Sequence, residues 1–187
     1  PSVLVFLSIV MQEGQTLIKD YQRDRIMAFF DPATYADTEA YQQLNSVIAI
    51  GSGQLWGKGL NNTDIASVKN GNFLPESQTD FIFAVIGEEL GFVGSAVVIL
   101  LLILIAMRCV SIARVAKDTA GMVIAAGMGS LIGIQGFMNI AVATMMMPNT
   151  GLPLPFVSYG LSSLVSMYIG IGFVLNVGLQ RKNLYNL

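Results

Sequence analysis

The chain contains no histidine and a single cysteine, Cys109. Every histidine-based catalytic triad and every histidine-ligated metal site is thereby excluded, and an intrachain disulfide cannot form. Charge is scarce as well: 10 Lys and Arg against 12 Asp and Glu leave a net charge of −2 over 187 residues. That balance gives no basic stripe for nucleic acid, and no zinc-finger or Gly-rich phosphate-loop spacing occurs. Chemistry, where there is any, has to rest on carboxylates, Lys, Arg, Tyr or Ser.

Apolar residues are abundant instead. The chain is 53% hydrophobic with a mean hydropathy of +0.63, and these residues are gathered into long runs, which is the signature of an integral membrane protein. The expected fold is all-α, a polytopic transmembrane helical bundle with one large extracytoplasmic loop. Residues 1–11, PSVLVFLSIVM, are too short to cross a bilayer that needs about 20 apolar residues. They read as the truncated end of a transmembrane helix, so the chain is expected to be part of a larger protein.

Residues 12–80 carry charges of both signs and turn formers at Asp31-Pro32, Gly51-Ser52-Gly53 and Lys69-Asn70-Gly71-Asn72, the composition of a long extramembrane loop. Within it Tyr41, Leu44, Val47 and Ile48 recur at helical spacing. They predict a short amphipathic helix along the membrane surface, ended by the glycines after Ile50. Tyr41 and Trp56 suit interfacial anchoring. Residues 81–107 form a first complete span. Residues 121–147 form a second, carrying Gln135 and Asn139 and a Gly129/Gly133 pair that permits close helix approach. Residues 148–157 hold Pro148, Pro153 and Pro155 and cannot be regular helix; residues 158–180 make the last span. Arg108, Arg114 and Lys117 in the connection 108–120, and Arg181 and Lys182 in the tail 181–187, place both segments in the cytoplasm by the positive-inside rule. The long loop and the Pro-rich linker then share the opposite face.

The informative stretch is FLPESQTDFIFAVIGEELGFVG, residues 73–94, where polar loop turns into membrane span. Asp80 stands at the first turn, and Glu88 and Glu89 interrupt the span about two turns later. Moving a carboxylate toward hydrocarbon costs on the order of 2.5–3.5 kcal/mol, so such an acid is a functional candidate unless it reaches water or a partner. Glu88 and Glu89 are expected to pair with a basic residue outside this chain. Asp80 is the leading catalytic candidate, with helix capping as its structural alternative.

Four segments, DYQRDRIMAFFDP (20–32), AYQQLNSVIAIGSGQLWGKGL (40–60), FLPESQTDFIFAVIGEELGFVG (73–94) and PNTGLPLPFVSYG (148–160), resemble in order the SEDS family of cell-wall polymerases, of which RodA and FtsW are the best known. The wording of the first two is nearer to RodA. The resemblance implies a ten-helix glycosyltransferase of the bacterial cytoplasmic membrane that polymerises lipid II on the outer face. This chain would be its C-terminal part: the end of the seventh helix, the large extracellular loop and helices eight to ten. It further implies that the aspartate of the TDFIF motif, here Asp80, is catalytic, and that a monofunctional class B penicillin-binding protein is the partner. A divalent cation is also suggested. One departure is visible: the family's SYGGSS reads SYGLSS, with Leu161 in place of the second glycine.

Glycan extension needs a sugar hydroxyl to attack an anomeric carbon while a lipid pyrophosphate leaves. A carboxylate that takes the hydroxyl proton contributes typically about 10²–10⁴ in rate, and the positive end of the helix beginning near Asp80 favours its ionised form. Glu76 is a candidate to orient the acceptor sugar or hold a cation, against a solvated loop acid. Arg23, Arg25 and Lys58 are candidates for the leaving pyrophosphate, the arginines favoured because a guanidinium forks onto phosphate oxygens. Against that, Asp20 and Asp24 beside them offer a local ion-pair network, and membrane-lipid headgroups another partner. Ser158 either touches substrate or caps the last helix, and the Pro-rich loop is expected to wall the cavity around Asp80. The fragment alone is expected to be inactive. Two rival readings are a flippase for the lipid-linked precursor, drawing on Gln135 and Asn139, and a non-enzymatic scaffold that docks a transpeptidase.

Overall fold

The longest apolar run becomes the longest helix. The computed structural model describes residues 20–38, 40–60 and 78–180, which contain the helices α1 (Asp20–Phe30), α2 (Tyr41–Ser52), α3 (Ile82–Arg114), α4 (Thr119–Ala143) and α5 (Leu161–Leu179), with no strand among the described residues. Residues 1–11, Glu76 and the basic tail with Arg181 and Lys182 lie outside them. Helices α3, α4 and α5 are each long and apolar enough to cross a membrane, so the architecture is a polytopic helical bundle, in which each span satisfies its own backbone.

At 33 residues α3 is roughly 50 Å long and outruns the apolar stretch 81–107 by about two turns. Arginine marks where side chains leave hydrocarbon, but the helical ladder continues beneath long stems that reach water. The connection to α4 is therefore short, residues 115–118, and Asp118 caps α4 by accepting the Gly121 N–H at 3.0 Å. Helix α4 presents Ala125, Gly129, Ile132 and Gly136 to its neighbours at spacings of three and four, one buried stripe of a helix. A Cβ at Gly129 would stand 3.0 Å from the Ala106 carbonyl of α3. Gly133 is exposed, and a Cβ there would stand 4.0 Å from the Ala106 Cβ, so of the expected Gly129/Gly133 pair it is Gly129 that makes the tight approach.

Helix α2 forms where the apolar periodicity predicts it, yet it docks by its polar side. Gln43, Ser46 and Ala49 are buried, while Tyr41, Val47 and Ile48, the last 67% exposed, face outward. The cause is the end of α4, whose last carbonyls have no intrahelical partners. Gln43 Nε2 donates to the Val142 and Met147 carbonyls at 3.0 and 2.8 Å, and Ser46 Oγ donates to Ala143 O at 2.7 Å. The Thr144 N–H and hydroxyl take Ile140 O, and the Met146 and Met147 N–H groups take Ala141 O. All four terminal carbonyls of α4 are thus paired. Nor do the glycines after Ile50 end α2 at once: it runs on to Ser52, and Gly53 is its C-cap.

Helix α3 is broken at Gly91, which has φ 66° and ψ −164°. A break of this kind leaves carbonyls before it and N–H groups after it without partners. The loop that follows α2 supplies partners for four of them. Phe92 N donates to Gln54 O at 2.8 Å and Val93 N to Leu55 O at 3.2 Å, while Lys58 N donates to Glu88 O at 2.9 Å and Gly59 N to Glu89 O at 3.0 Å. Side chains would prevent this seating. A Cβ at Gly53 would overlap the Gly87 carbonyl, and one at Gly91 would overlap the Gly57 nitrogen. The glycine-rich IGSGQLWGKG and the GEELG stretch are therefore two halves of one clasp.

Candidate active site

Asp80 occupies the turn that leads into α3, and that turn is held by its backbone. Three successive carbonyls each receive a donor from elsewhere: Gln78 O from Tyr159 N at 2.8 Å, Thr79 O from Ser158 Oγ at 2.6 Å, and Asp80 O from Asn139 Nδ2 at 2.7 Å. Phe81, Phe83 and Ala84 then plug the start of α3 into the core. The cap position of α3 is Phe81, one residue past Asp80. The Asp80 side chain is half-buried, and Oδ2 faces Gly151, where an added Cβ would stand 3.4 Å away.

The Pro-rich segment reaches Asp80 because α4 holds it there. Lacking helical hydrogen bonds, residues 148–157 need outside donors. Asn139 Nδ2 donates to Leu152 O at 2.7 Å and Gln135 Nε2 to Pro153 O at 2.9 Å, from positions one turn apart on the same face of α4. Gly151, at φ 66°, turns the chain beside the carboxylate, and Asn149 Oδ1 accepts its N–H at 3.2 Å. Asn139 stands about 20 residues along α4 from Thr119, roughly 30 Å. That is about the thickness of a bilayer's hydrocarbon core.

The other candidates fare differently. Ser158 is fully buried, accepting Leu154 N at 2.6 Å while donating to Thr79 O. It does not cap the last helix, which starts at Leu161 with Gly160 as N-cap, and its hydroxyl is spent on positioning the Asp80 turn rather than open to a substrate. Lys58 Nζ pairs with Glu88 Oε1 at 2.8 Å, the glutamate side chain being 2% exposed. Glu88 thus finds its cation within this chain, contrary to the expectation of a partner outside it. Arg23 lies 3.7 Å from Asp24, and the α1 helix carrying Arg23 and Arg25 packs substantially against none of the other described helices. Glu76 lies outside the described residues. Leu161, the departure from SYGGSS, is 84% exposed, so among the described residues its side chain crowds nothing. No group of three or more His, Cys, Asp or Glu side chains that could hold a metal ion occurs among the described residues. An apolar groove of about 620 Å³ lies between α2, α3 and α4, lined by Ile50, Gln54, Phe83, Ser95 and Thr144 among others; Asp80 is not part of it.

Sequence periodicity alone does not disclose the roles of Asn139, Gln135, Gln43 and Ser46. The signal available was an amide pair inside an apolar span, directly before a proline-rich segment in need of donors.

Comparison with known proteins places this geometry in context. The FtsW/RodA/SpoVE family model, described as a cell cycle protein, matches residues 2–183. The chain is 42% identical over 168 residues to the peptidoglycan glycosyltransferase MrdB of Escherichia coli K12, covering 90% of this chain and 45% of that protein. It is 40% identical over 182 residues to a probable peptidoglycan glycosyltransferase FtsW of Nitrosomonas europaea, covering 96% of this chain and 46% of the relative. The chain therefore spans about half the length of the curated relatives it matches, and identities this close do not decide between the two subdivisions. A solved structure described as "Structural coordination of polymerization and crosslinking by a peptidoglycan synthase complex" superposes with a TM-score of 0.68 at 30% identity, covering 97% of this chain and 50% of its own. On a match that runs almost end to end, the chain belongs to the FtsW/RodA/SpoVE family.

Proposed function

We propose that the protein to which this chain belongs is a peptidoglycan glycosyltransferase that polymerises lipid II on the outer face of the bacterial cytoplasmic membrane, with Asp80 as general base. The observation that carries this reading is the pinned turn: three consecutive backbone carbonyls, each held by a donor from another segment, fix the turn that carries the Asp80 carboxylate, beside Gly151. In the reaction a sugar hydroxyl oxygen forms the new bond to the anomeric carbon and its proton passes to Asp80. The anomeric carbon–oxygen bond breaks, and its electron pair leaves with the lipid pyrophosphate. Holding a base within reach of that proton is what makes a neutral hydroxyl nucleophilic.

The basic residues Arg108, Arg114 and Lys117 cluster at the far end of the bundle, which supports an extracytoplasmic Asp80. Arg23 and Arg25 are the proposed contacts for the pyrophosphate, because a guanidinium forks onto phosphate oxygens, and Glu76 the proposed contact for the acceptor sugar. A class B penicillin-binding protein is the proposed partner, a reading supported by the polymerization and crosslinking named for the similar solved structure. The flippase reading finds less support, because Gln135 and Asn139 are occupied by loop carbonyls instead of lining a polar path. The test is polymerisation of purified lipid II by the full-length protein carrying Asp80→Asn, which keeps size and removes basicity. Loss of product is expected, and near-normal glycan length and rate would end the proposal.

A further inference from the structure

We infer that Asn139 is a positioning residue that sets the distance between Asp80 and the Gly151–Leu152 turn; the inference rests on Asp80 being the base. A primary amide has two N–H donors on one nitrogen, and Asn139 uses that nitrogen on both sides of the site, 2.7 Å from Asp80 O and 2.7 Å from Leu152 O. The side chain is 1% exposed, so neither bond is exchanged for water. Its orientation is fixed by chemistry as well, because turning the amide over would aim Oδ1 at two carbonyl oxygens. In the orientation that satisfies the carbonyls, Oδ1 itself is buried without a hydrogen-bond partner among the described residues. A buried acceptor left unpaired is costly, and a site that retains one is using the other end of the amide for something.

Gln135 supplies the contrast. One turn earlier on the same face, it holds Pro153 O alone, so it secures the loop without touching the Asp80 turn. Asn139 ties the two together from α4 at Asp80 itself, while the Ser158 hydroxyl bridges the neighbouring groups Leu154 N and Thr79 O. Removing it frees the carboxylate to shift relative to Gly151, and a displacement of about 1 Å at a reacting group can cost on the order of 100-fold in rate.

Full-length protein is assayed with purified lipid II as Asn139→Ala and as Asn139→Asp, which keeps the shape but, when ionised, cannot donate. The rate at saturating substrate is expected to fall roughly 100-fold while KM stays within about threefold, as expected when substrate affinity is untouched. In an Asp80→Asn background, Asn139→Ala should add no more than about twofold, because groups that act as a unit are not additive; full multiplication of the two losses overturns the inference. A second measurement does not depend on Asp80 being the base. With Asp80→Cys in a chain otherwise cleared of cysteine, the rate of labelling by a water-soluble maleimide is expected to change at least fivefold on Asn139→Ala and less than twofold on Gln135→Ala. Equal labelling with and without Asn139 overturns the positioning role whatever the activity. Should Asp80→Asn stay active, the general-base reading falls, and the labelling still decides whether Asn139 places residue 80. If Asn139→Ala does not accumulate, Asn139→Ser, which keeps one donor, carries the same measurements.

Discussion

Lys58 Nζ lies 2.8 Å from Glu88 Oε1, joining the loop after α2 to the first half of α3 through a carboxylate that is almost wholly buried. The pair sits on top of two backbone hydrogen bonds between the same segments, Lys58 N to Glu88 O and Gly59 N to Glu89 O. It therefore locks a contact that the backbone has already aligned.

Breaking this pair from the lysine side takes a cation away from a buried carboxylate. Lys58→Met is expected to lower stability by about 3 kcal/mol, the lower end of the range for removing one partner of a buried pair, because Lys58 keeps some solvent contact. Adding Glu88→Gln should recover a good part of that loss, since the buried negative charge is then removed along with its cation. The check is thermal unfolding of the three variants in detergent; a double variant no better than Lys58→Met would mean that the charge is not what holds the clasp.

Two glycines two residues apart should respond in opposite directions to the same change. At Gly53 a Cβ collides with backbone at Gly87, whereas at Gly51, inside α2, nothing lies within 4 Å. Gly53→Ala is expected to cost about 1–3 kcal/mol through overpacking. Gly51→Ala is expected to stabilise by roughly 0.5–1 kcal/mol, as alanine does in a helix interior. Melting temperatures of the paired variants decide it, and equal shifts would contradict the close seating of the loop.

Ser158→Ala leaves the Leu154 N–H and the Thr79 carbonyl without their shared hydroxyl. Stability should drop by about 1–3 kcal/mol, the usual cost of orphaning buried polar groups, and polymerisation should fall while KM for lipid II holds. A rise in KM with an unchanged maximal rate would instead make Ser158 a substrate contact.

The inward polar face of α2 predicts an inverted mutational pattern. Gln43→Leu, which makes the helix more apolar, is expected to destabilise by about 1–3 kcal/mol because it takes the Gln43 donor from Met147 O and from Val142 O, the latter keeping only the Met145 N–H. Ile48→Gln, at an exposed position, should fall within about 0.5 kcal/mol in detergent. Chemical or thermal denaturation of both variants in the same detergent measures the contrast.

Much of this was readable in advance, for identifiable reasons. Long apolar runs can only be satisfied as helices, so the three spans follow from composition, and an acid at the mouth of a span draws attention to Asp80. What composition cannot convey is which backbone groups end up without partners. The break at Gly91 is one glycine in an apolar span until the loop donors at 54–59 are seen to answer it. Gln43 and Ser46 look like the wet side of an amphipathic helix until the last carbonyls of α4 claim them. Ser158 looks like a cap because it precedes a helix, yet its geometry points it at Thr79. In each case a long-range hydrogen bond between segments tens of residues apart decided the outcome, and periodicity reads only what lies within a few turns.

The clasp at Gly91 also bears on how the protein is made. Residues 54–59 leave the ribosome before α3 does, so the donors and acceptors that complete the broken helix exist first as an unpaired strand of loop awaiting its groove. Insertion of α3 cannot by itself finish that helix; its first half matures only when the earlier segment folds back over it. A lesion in the glycines of the loop is therefore expected to show itself as a defect in the later helix.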